Sequence, residues 1–232
     1  LSAPPVGFDF DAEQEAGFLK LVNAERAAHG LNPLALRADL SAPARFHSLD
    51  MAVNGFFGHE GPDGRGPDAR IAALDRRAFS DFSAENVATL TREGGTLGAG
   101  FAMKRLHKNL MNSPGHRANI LHPKATHVAF GVVRTKDGMW VTQLFMRVTG
   151  TLPEDAPLSL PLEPALRAPA VQKDWKFVRF DTLSVEGEPF AGRGVSVTAA
   201  DARLSVYATQ PGDRANEFYF IRFLGPVFTV QR

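Results

Sequence analysis

The chain has no cysteine. A disulfide framework and any thiolate metal site are therefore excluded, while the compartment stays open. No apolar run approaches the ~18 residues of a transmembrane helix. Charge of one sign is also missing in bulk: 26 Lys and Arg against 25 Asp and Glu leave a formal net charge of +1. Nothing global then argues for nucleic acid or a membrane. One local absence stands out, because no Asp or Glu occurs between Glu93 and Asp137. What is present is ordinary for a soluble globular protein, with 44% hydrophobic and 22% charged residues over 232 positions. That length allows one large domain, or a medium and a small one, with a real core. The start Leu1-Ser2-Ala3-Pro4-Pro5, without Met, suits a mature form after signal removal or a trimmed chain, and the expectation is a secreted or periplasmic protein.

The first half reads as helical. Residues 11–29 place Phe18, Leu21, Val22 and Glu25 at helical spacing, with Asp11 to cap the start and Gly30 to stop it. Residues 39–54 repeat the pattern through Leu40, Ala44, His47 and Met51; Pro43 is tolerable only in a first turn, and Gly55 ends the helix. Residues 58–68 form a turn-rich loop, and "DARIAALDRRA" predicts a short helix after it. Residues 100–112 predict another helix with Phe101, Leu106 and Leu110 inward. "LMNSPGHRANIL" reads as a loop with a Pro-Gly turn.

"HVAFGVVRT" and "MWVTQLFMRV" flank Lys136-Asp137-Gly138, a good hairpin turn. Trp140 to Phe145 is apolar on both faces, which suits a central strand covered by helices on both sides. The expected class is α+β, a three-layer α-β-α sandwich followed by a small all-β C-terminal module. Five prolines between 151 and 170 mark 151–172 as a linker or surface strap. The expected division is 1–150, the linker 151–172, and a β module at 173–232 built from "WKFVRFDTLSV", "GVSVTA", "LSVYAT" and "EFYFIRFLGPVFTV".

Several stretches, in order, resemble one family. "LVNAERAAHGLNPL", "ARFHSLDMAVNGFFGHEGPDG", "AENVA", "LMNSPGHRANIL", "THVAFGVV" and "MWVTQLF" resemble elements of the CAP superfamily. This is the cysteine-rich secretory, antigen 5 and pathogenesis-related 1 group, or SCP-like extracellular domains, here in a bacterial form. Ala84 stands where the family has Gly, and Leu110 where it has Trp. The resemblance covers 18–146 and says nothing of 151–232. It implies an α-β-α sandwich and a cleft with two His and two Glu. His59, Glu85 and His116 match three of the four; the second Glu is absent, and Ser113 falls near its place.

Each candidate has a bland reading beside the functional one. His59 is a ligand group or a loop His bonded to backbone. Glu85, taken as a loop residue, orients two imidazoles and holds a cation, or accepts backbone N–H bonds. His116 could ligate a metal through one nitrogen, with Arg117 and Asn119 tying the loop down. Ser113 with His116 invites a hydrolase reading, but three-residue spacing does not ensure a nucleophile–base contact, and no Gly-x-Ser-x-Gly elbow exists. His47 reads as a core histidine, His29 as a helix C-terminal one, and Glu25 as a salt-bridge residue; His107, His122 and His127 get no partner. Lys104, Arg105, Lys108, Arg117, Lys124, Arg134 and Lys136 are either a basic rim for anionic ligands or a face neutralised by acids such as Asp50, Asp63 or Glu85.

The sequence favours a secreted binding module over an enzyme. Its ligand cleft is His59, Glu85, Ser113 and His116. His59, Glu85 and His116 are candidate ligands for a divalent cation, zinc before calcium. A small polar, anionic, lipid or cell-envelope ligand is equally compatible, and nucleic acid is not expected. The rival is a metal-assisted peptidase or esterase with Glu85 as general base. A third reading is an envelope protein anchored through its β module, with a vestigial cleft. Oligomeric state stays open.

Overall fold

The computed structural model describes residues 3–161, 163–184 and 201–230. They form two compact units, one of residues 1–70 and 82–147, the other of 71–81 and 148–232. The second unit therefore takes an eleven-residue excursion out of the first half of the chain.

In chain order the first unit holds β1 (Asp9–Phe10), α1 (Ala12–Ala28), β2 (Ala35–Leu36), α2 (Ser41–Asn54), the start of α3 (Pro67–Leu74) and β3 (Ala78–Thr91) from Phe82 onward. α4 (Ala99–Asn112), α5 (Pro114–Ile120), β4 (His127–Arg134) and β5 (Gly138–Thr151) follow, β5 belonging here up to Arg147. The helix limits come from local chemistry. The Asp11 carboxylate accepts the Gln14 N–H at 3.0 Å and caps α1. Gly30 (φ +69°) and Gly55 (φ +67°) take the left-handed turns after α1 and α2. Pro43 sits in the first turn of α2, where it costs no helical hydrogen bond.

Strand order is β1-β4-β5-β3, with β4 and β5 antiparallel through the 135–138 turn. β4 shows why both of its faces are apolar. Val128, Phe130 and Val132 pack with Phe18 and Val22 of α1 and Leu106 and Leu110 of α4. The alternate residues meet α2: a Cβ on Gly131 would lie 2.2 Å from the Ala44 carbonyl carbon, so only glycine lets the helix backbone approach. Ser48 Oγ donates to the Gly131 carbonyl at 2.8 Å in that contact.

Three expectations change. "AENVA" is in β3, not a loop, because Asp75 Oδ1 accepts the Arg77 and Ala78 N–H groups (3.1 and 3.0 Å) and turns the chain from α3 directly into a strand. "PGHRANI" is the whole of α5, not a loop, with Pro114 at its first position and Ser113 before it. Phe101 does not face inward; it is 66% exposed, while Ala102, Leu106 and Leu110 take the buried face of α4.

The second unit contains the end of α3 and the start of β3, the end of β5, then β6 (Ser159–Leu160), β7 (Ala170–Val171), β8 (Lys176–Ser184), β9 (Asp201–Pro211) and β10 (Phe218–Val230). β8, β9 and β10 pair antiparallel in that order. β10 also pairs Leu224 with Ser80 of β3. The β9–β10 register shifts between Leu224 and Val227, where Pro226 lacks an N–H and Gly225 lies against Phe79. Phe79, Leu204, Val206 and Phe223 are fully buried at the centre. Residues 151–172 pack into this unit: Leu152, Ala156 and Leu160 are buried, and the Leu152 and Ala156 N–H groups donate to Arg77 and Arg76 carbonyls. The expected strand "GVSVTA" lies outside the described residues.

Candidate functional site

His59 stands in a tight turn. The Gly61 N–H donates to the Arg65 carbonyl (3.1 Å), Gly64 takes φ +77°, and Asp63 pairs with Arg65 at 2.6 Å. Two buried side chains fix this turn from behind. His47 of α2, fully buried, has Nε2 2.8 Å from the Gly58 carbonyl, so this nitrogen donates. Arg70 of α3, 2% exposed, donates through Nη1 to the His59 carbonyl (2.9 Å) and the Arg65 carbonyl (2.7 Å).

The other end of Arg70 reaches the acid. Its Nη2 donates to Glu85 Oε2 at 2.7 Å, and both side chains are nearly inaccessible (2% and 1%). Glu85 Oε1 lies 2.9 Å from His59 Nδ1 and 3.9 Å from His47 Nε2. The His59 ring, by contrast, is 51% exposed. Its Nδ1 is spent on Glu85, and its Nε2 has no partner among the described residues. A carboxylate accepting from Nδ1–H fixes the tautomer that presents Nε2 as a bare lone pair.

His116, in the first turn of α5, is half-buried. Asparagines hold its helix to β3: Asn86 Nδ2 donates to the His116 carbonyl and to Gln143 Oε1 (both 3.1 Å), and Asn119 Nδ2 donates to the Glu85 carbonyl (3.2 Å) and Asn86 Oδ1 (2.9 Å). Proton affinity is lowered at His116, first by burial and then by His59, whose charge it feels. It is lowered at His47 too, first by burial; Glu85 opposes that shift and Arg70 adds to it. Both rings are thereby biased to the neutral, lone-pair-bearing form.

The structure thus joins His59 to Glu85, and asparagines tie the backbone of the His116 helix to that of β3 beside Glu85. It does not join Ser113 to His116 by a hydrogen bond among the described residues; Ser113 takes the N-cap position of α5. Nor do three His, Asp or Glu groups come close enough together to hold a metal ion among the described residues. Both Glu85 oxygens are engaged, one by His59 and the other by a buried guanidinium. Glu85 orients an imidazole and, so engaged, does not fit as a metal ligand. Arg70 and Asn86 escaped the sequence reading, and His47 was read as core only. The one available signal was the weak "GRGPDAR" turn before a helix.

The remaining histidines have structural places. His107 Nε2 lies 3.6 Å from Glu25 Oε1, His122 stacks on Phe82 at 3.9 Å, His29 Nε2 accepts from Arg117 Nη2 (3.0 Å), and His127 bonds Thr126 (2.8 Å).

A profile described as the cysteine-rich secretory protein family, CAP, matches residues 19–145. The uncharacterized protein YkwD of Bacillus subtilis (strain 168) is 32% identical over 129 residues, which are 56% of this chain and 46% of that protein. The chain therefore spans under half the length of this curated relative. Among solved structures, an extracellular protein containing an SCP domain from Bacillus anthracis str. Ames is 28% identical, with TM-score 0.48 over 58% of this chain and 40% of its own. A cysteine-rich secretory protein from Staphylococcus aureus subsp. aureus Mu50 is 22% identical, with TM-score 0.42 over 59% and 39% of the two chains.

Proposed function

The chain belongs to the cysteine-rich secretory protein (CAP) family over residues 19–145, and on that premise we propose that it is an extracellular binding module whose recognition groups are the imidazoles of His59 and His116. We also read the helices against the two faces of β4 as the outer layers of an α-β-α sandwich that carries this cluster. Secretion is supported by the family's description. No helix among the described residues is long and apolar enough to cross a membrane.

One observation carries the reading: a buried, arginine-clamped carboxylate holds a half-exposed histidine. A histidine that serves packing is buried and bonded inward, as His47 is. His59 instead spends one nitrogen on being aimed and leaves the other to solvent. The ligand is a divalent cation, zinc before calcium, or a small polar or anionic molecule whose own hydroxyl or amine donates to the His59 Nε2 lone pair. A cation would be held by the two imidazoles with open positions for water, and would supply Lewis acidity toward an oxygen ligand. Glu85 fixes the tautomer of His59, and Arg70 holds Glu85.

Calorimetric titration of metal-stripped protein with zinc, and separately with calcium, tests this beside the His59→Ala/His116→Ala double variant. Saturable one-site binding that a folded double variant loses supports the cluster as the site. Glu85→Gln then weakens zinc by roughly 10- to 100-fold, as loss of an orienting partner does. Absent binding, or equal binding by both proteins, refutes the cation reading and leaves anionic ligands for the same titration.

A further inference from the structure

The seven cations of the acid-free stretch do not share one fate. Arg134 pairs with Asp11 at 3.2 Å, and Arg117 bonds His29. The acids named above as possible neutralisers are engaged elsewhere: Asp63 with Arg65, Glu85 with Arg70, and Asp50 as acceptor for Asn54. Lys104, Arg105 and Lys108 of α4 have no ion pair or hydrogen-bond partner among the described residues, and all three are exposed.

Their spacing adds a second fact. Phe101, Lys104, Arg105 and Lys108 stand at i, i+3, i+4 and i+7, so they share one stripe of α4. The opposite stripe is the buried one of Ala102, Leu106 and Leu110. Met103 turns toward α1, where a Cβ on Gly17 would meet its sulfur. Glu13 and Lys20 lie on that α1 side, in a concavity with Gly100 and Met103. At the N-terminal end of the stripe, Phe101 walls a second concavity of about 470 Å³ with Leu90, Leu97 and exposed Arg92. Leu97 there is buried, so Phe101 is the exposed apolar group of this end, and Arg92 is a further exposed cation beside it; Glu93, next to Arg92, is the acid nearest in sequence.

We propose that this face of α4 docks the protein onto an anionic lipid surface, with Phe101 as the apolar anchor and Lys104, Arg105 and Lys108 against the headgroups. Charge complementarity selects an anionic partner. The exposed phenylalanine in the same stripe selects a bilayer over a soluble polyanion, since a polymer of phosphates offers that ring nothing. The surface is separate from the histidine cluster, which lies on the 58–65 turn, β3 and α5.

The test is co-sedimentation of the full chain with vesicles of phosphatidylcholine alone or of phosphatidylcholine with phosphatidylglycerol. Binding to the anionic vesicles only, weakened by salt, is expected. The triple variant Lys104→Gln/Arg105→Gln/Lys108→Gln lowers partitioning by on the order of a hundredfold, about fivefold per cation. Phe101→Ser weakens binding at every salt concentration, and His59→Ala/His116→Ala leaves it unchanged. Circular dichroism confirms that each variant is folded, as exposed substitutions permit. Equal binding to neutral vesicles, no binding, or an undiminished triple variant overturns the proposal. So does displacement by inorganic phosphate at matched ionic strength with Phe101→Ser unaltered, which identifies a phosphate or polyanion site instead.

Discussion

Two of the histidine–glutamate pairs in the first unit are built in opposite senses. In one, Glu85 is 1% exposed and His59 51% exposed. In the other, His107 is 7% exposed and Glu25 35% exposed. The chemistry of the partners is the same, yet the inside and outside members are exchanged. The buried member shows what the pair is for. A buried carboxylate needs a cation, which Arg70 supplies at 2.7 Å, and the structure then spends that fixed acceptor on aiming an exposed ring. A buried imidazole can stay neutral and needs no counterion. His107 is of this kind: burial lowers its proton affinity, and nearby Glu25 only opposes the shift. The first arrangement leaves a nitrogen to solvent, and the second lies between α1 and α4.

The sharpest way to break this comparison is to remove the clamp. Arg70→Met leaves the Glu85 carboxylate buried without its cation and costs about 3–5 kcal/mol by denaturant unfolding. Arg70→Met/Glu85→Leu costs less than Arg70→Met alone, because no charge is left stranded. Glu25→Gln, the matching removal in the other pair, stays within about 1 kcal/mol, since that carboxylate keeps contact with water. Equal losses for Arg70→Met and Glu25→Gln would show that the two pairs do not differ in kind.

The asymmetry between the pairs was only half legible in the sequence. Local chemistry was readable: Asp11 before α1, Gly30 and Gly55 after their helices, and the Lys136-Asp137-Gly138 turn each act within a few residues. His59, Glu85 and His116 were singled out through resemblance to family elements in order, not through their spacing, and the contact that the structure shows among their side chains is His59 with Glu85. Arg70 was invisible because its partners are a side chain 15 residues on and two carbonyls of a preceding turn, pairings that no periodicity encodes. Phe101 misled because it adjoins Ala102 of the apolar stripe in sequence only; one residue of rotation, about 100°, carries it to the exposed side of α4. β3 was missed because "AFSDFSAENVATLT" mixes polar and apolar residues; strand pairing, not alternation, defines it.

Acid should separate the pairs next. His47 and His107 both have folded-state proton affinities lowered by burial. Above about pH 6.5 each is neutral folded and unfolded, so neither contributes a pH dependence. As pH falls below about 6.5 the unfolded chain takes up protons first, and stability drops until the folded sites titrate; each such histidine contributes up to about 1.4 kcal/mol per pH unit in that window. His107→Leu should make the curve of denaturation midpoint against pH shallower. Glu25→Gln should carry the fall to lower pH, because Glu25 raises the His107 proton affinity against its burial and is then gone. A curve unchanged by either substitution would mean that His107 is not held neutral by burial.

The smallest stability effect belongs to the residue with the largest proposed role. His59→Asn removes a half-exposed ring whose Nδ1 bonds Glu85, while Arg70 still neutralises that carboxylate and still holds the residue 59 carbonyl. The expected cost is within about 1 kcal/mol, with the zinc isotherm lost at the same time. His107→Leu should do the reverse, altering stability and its pH dependence while the isotherm stays as in the wild type. Binding lost without stability at one histidine, and stability moved without binding at the other, is the double dissociation that the inverted exposures require. If His59→Asn unfolds the protein as readily as Arg70→Met does, then His59 is a packing residue of its turn and the exposed nitrogen is incidental.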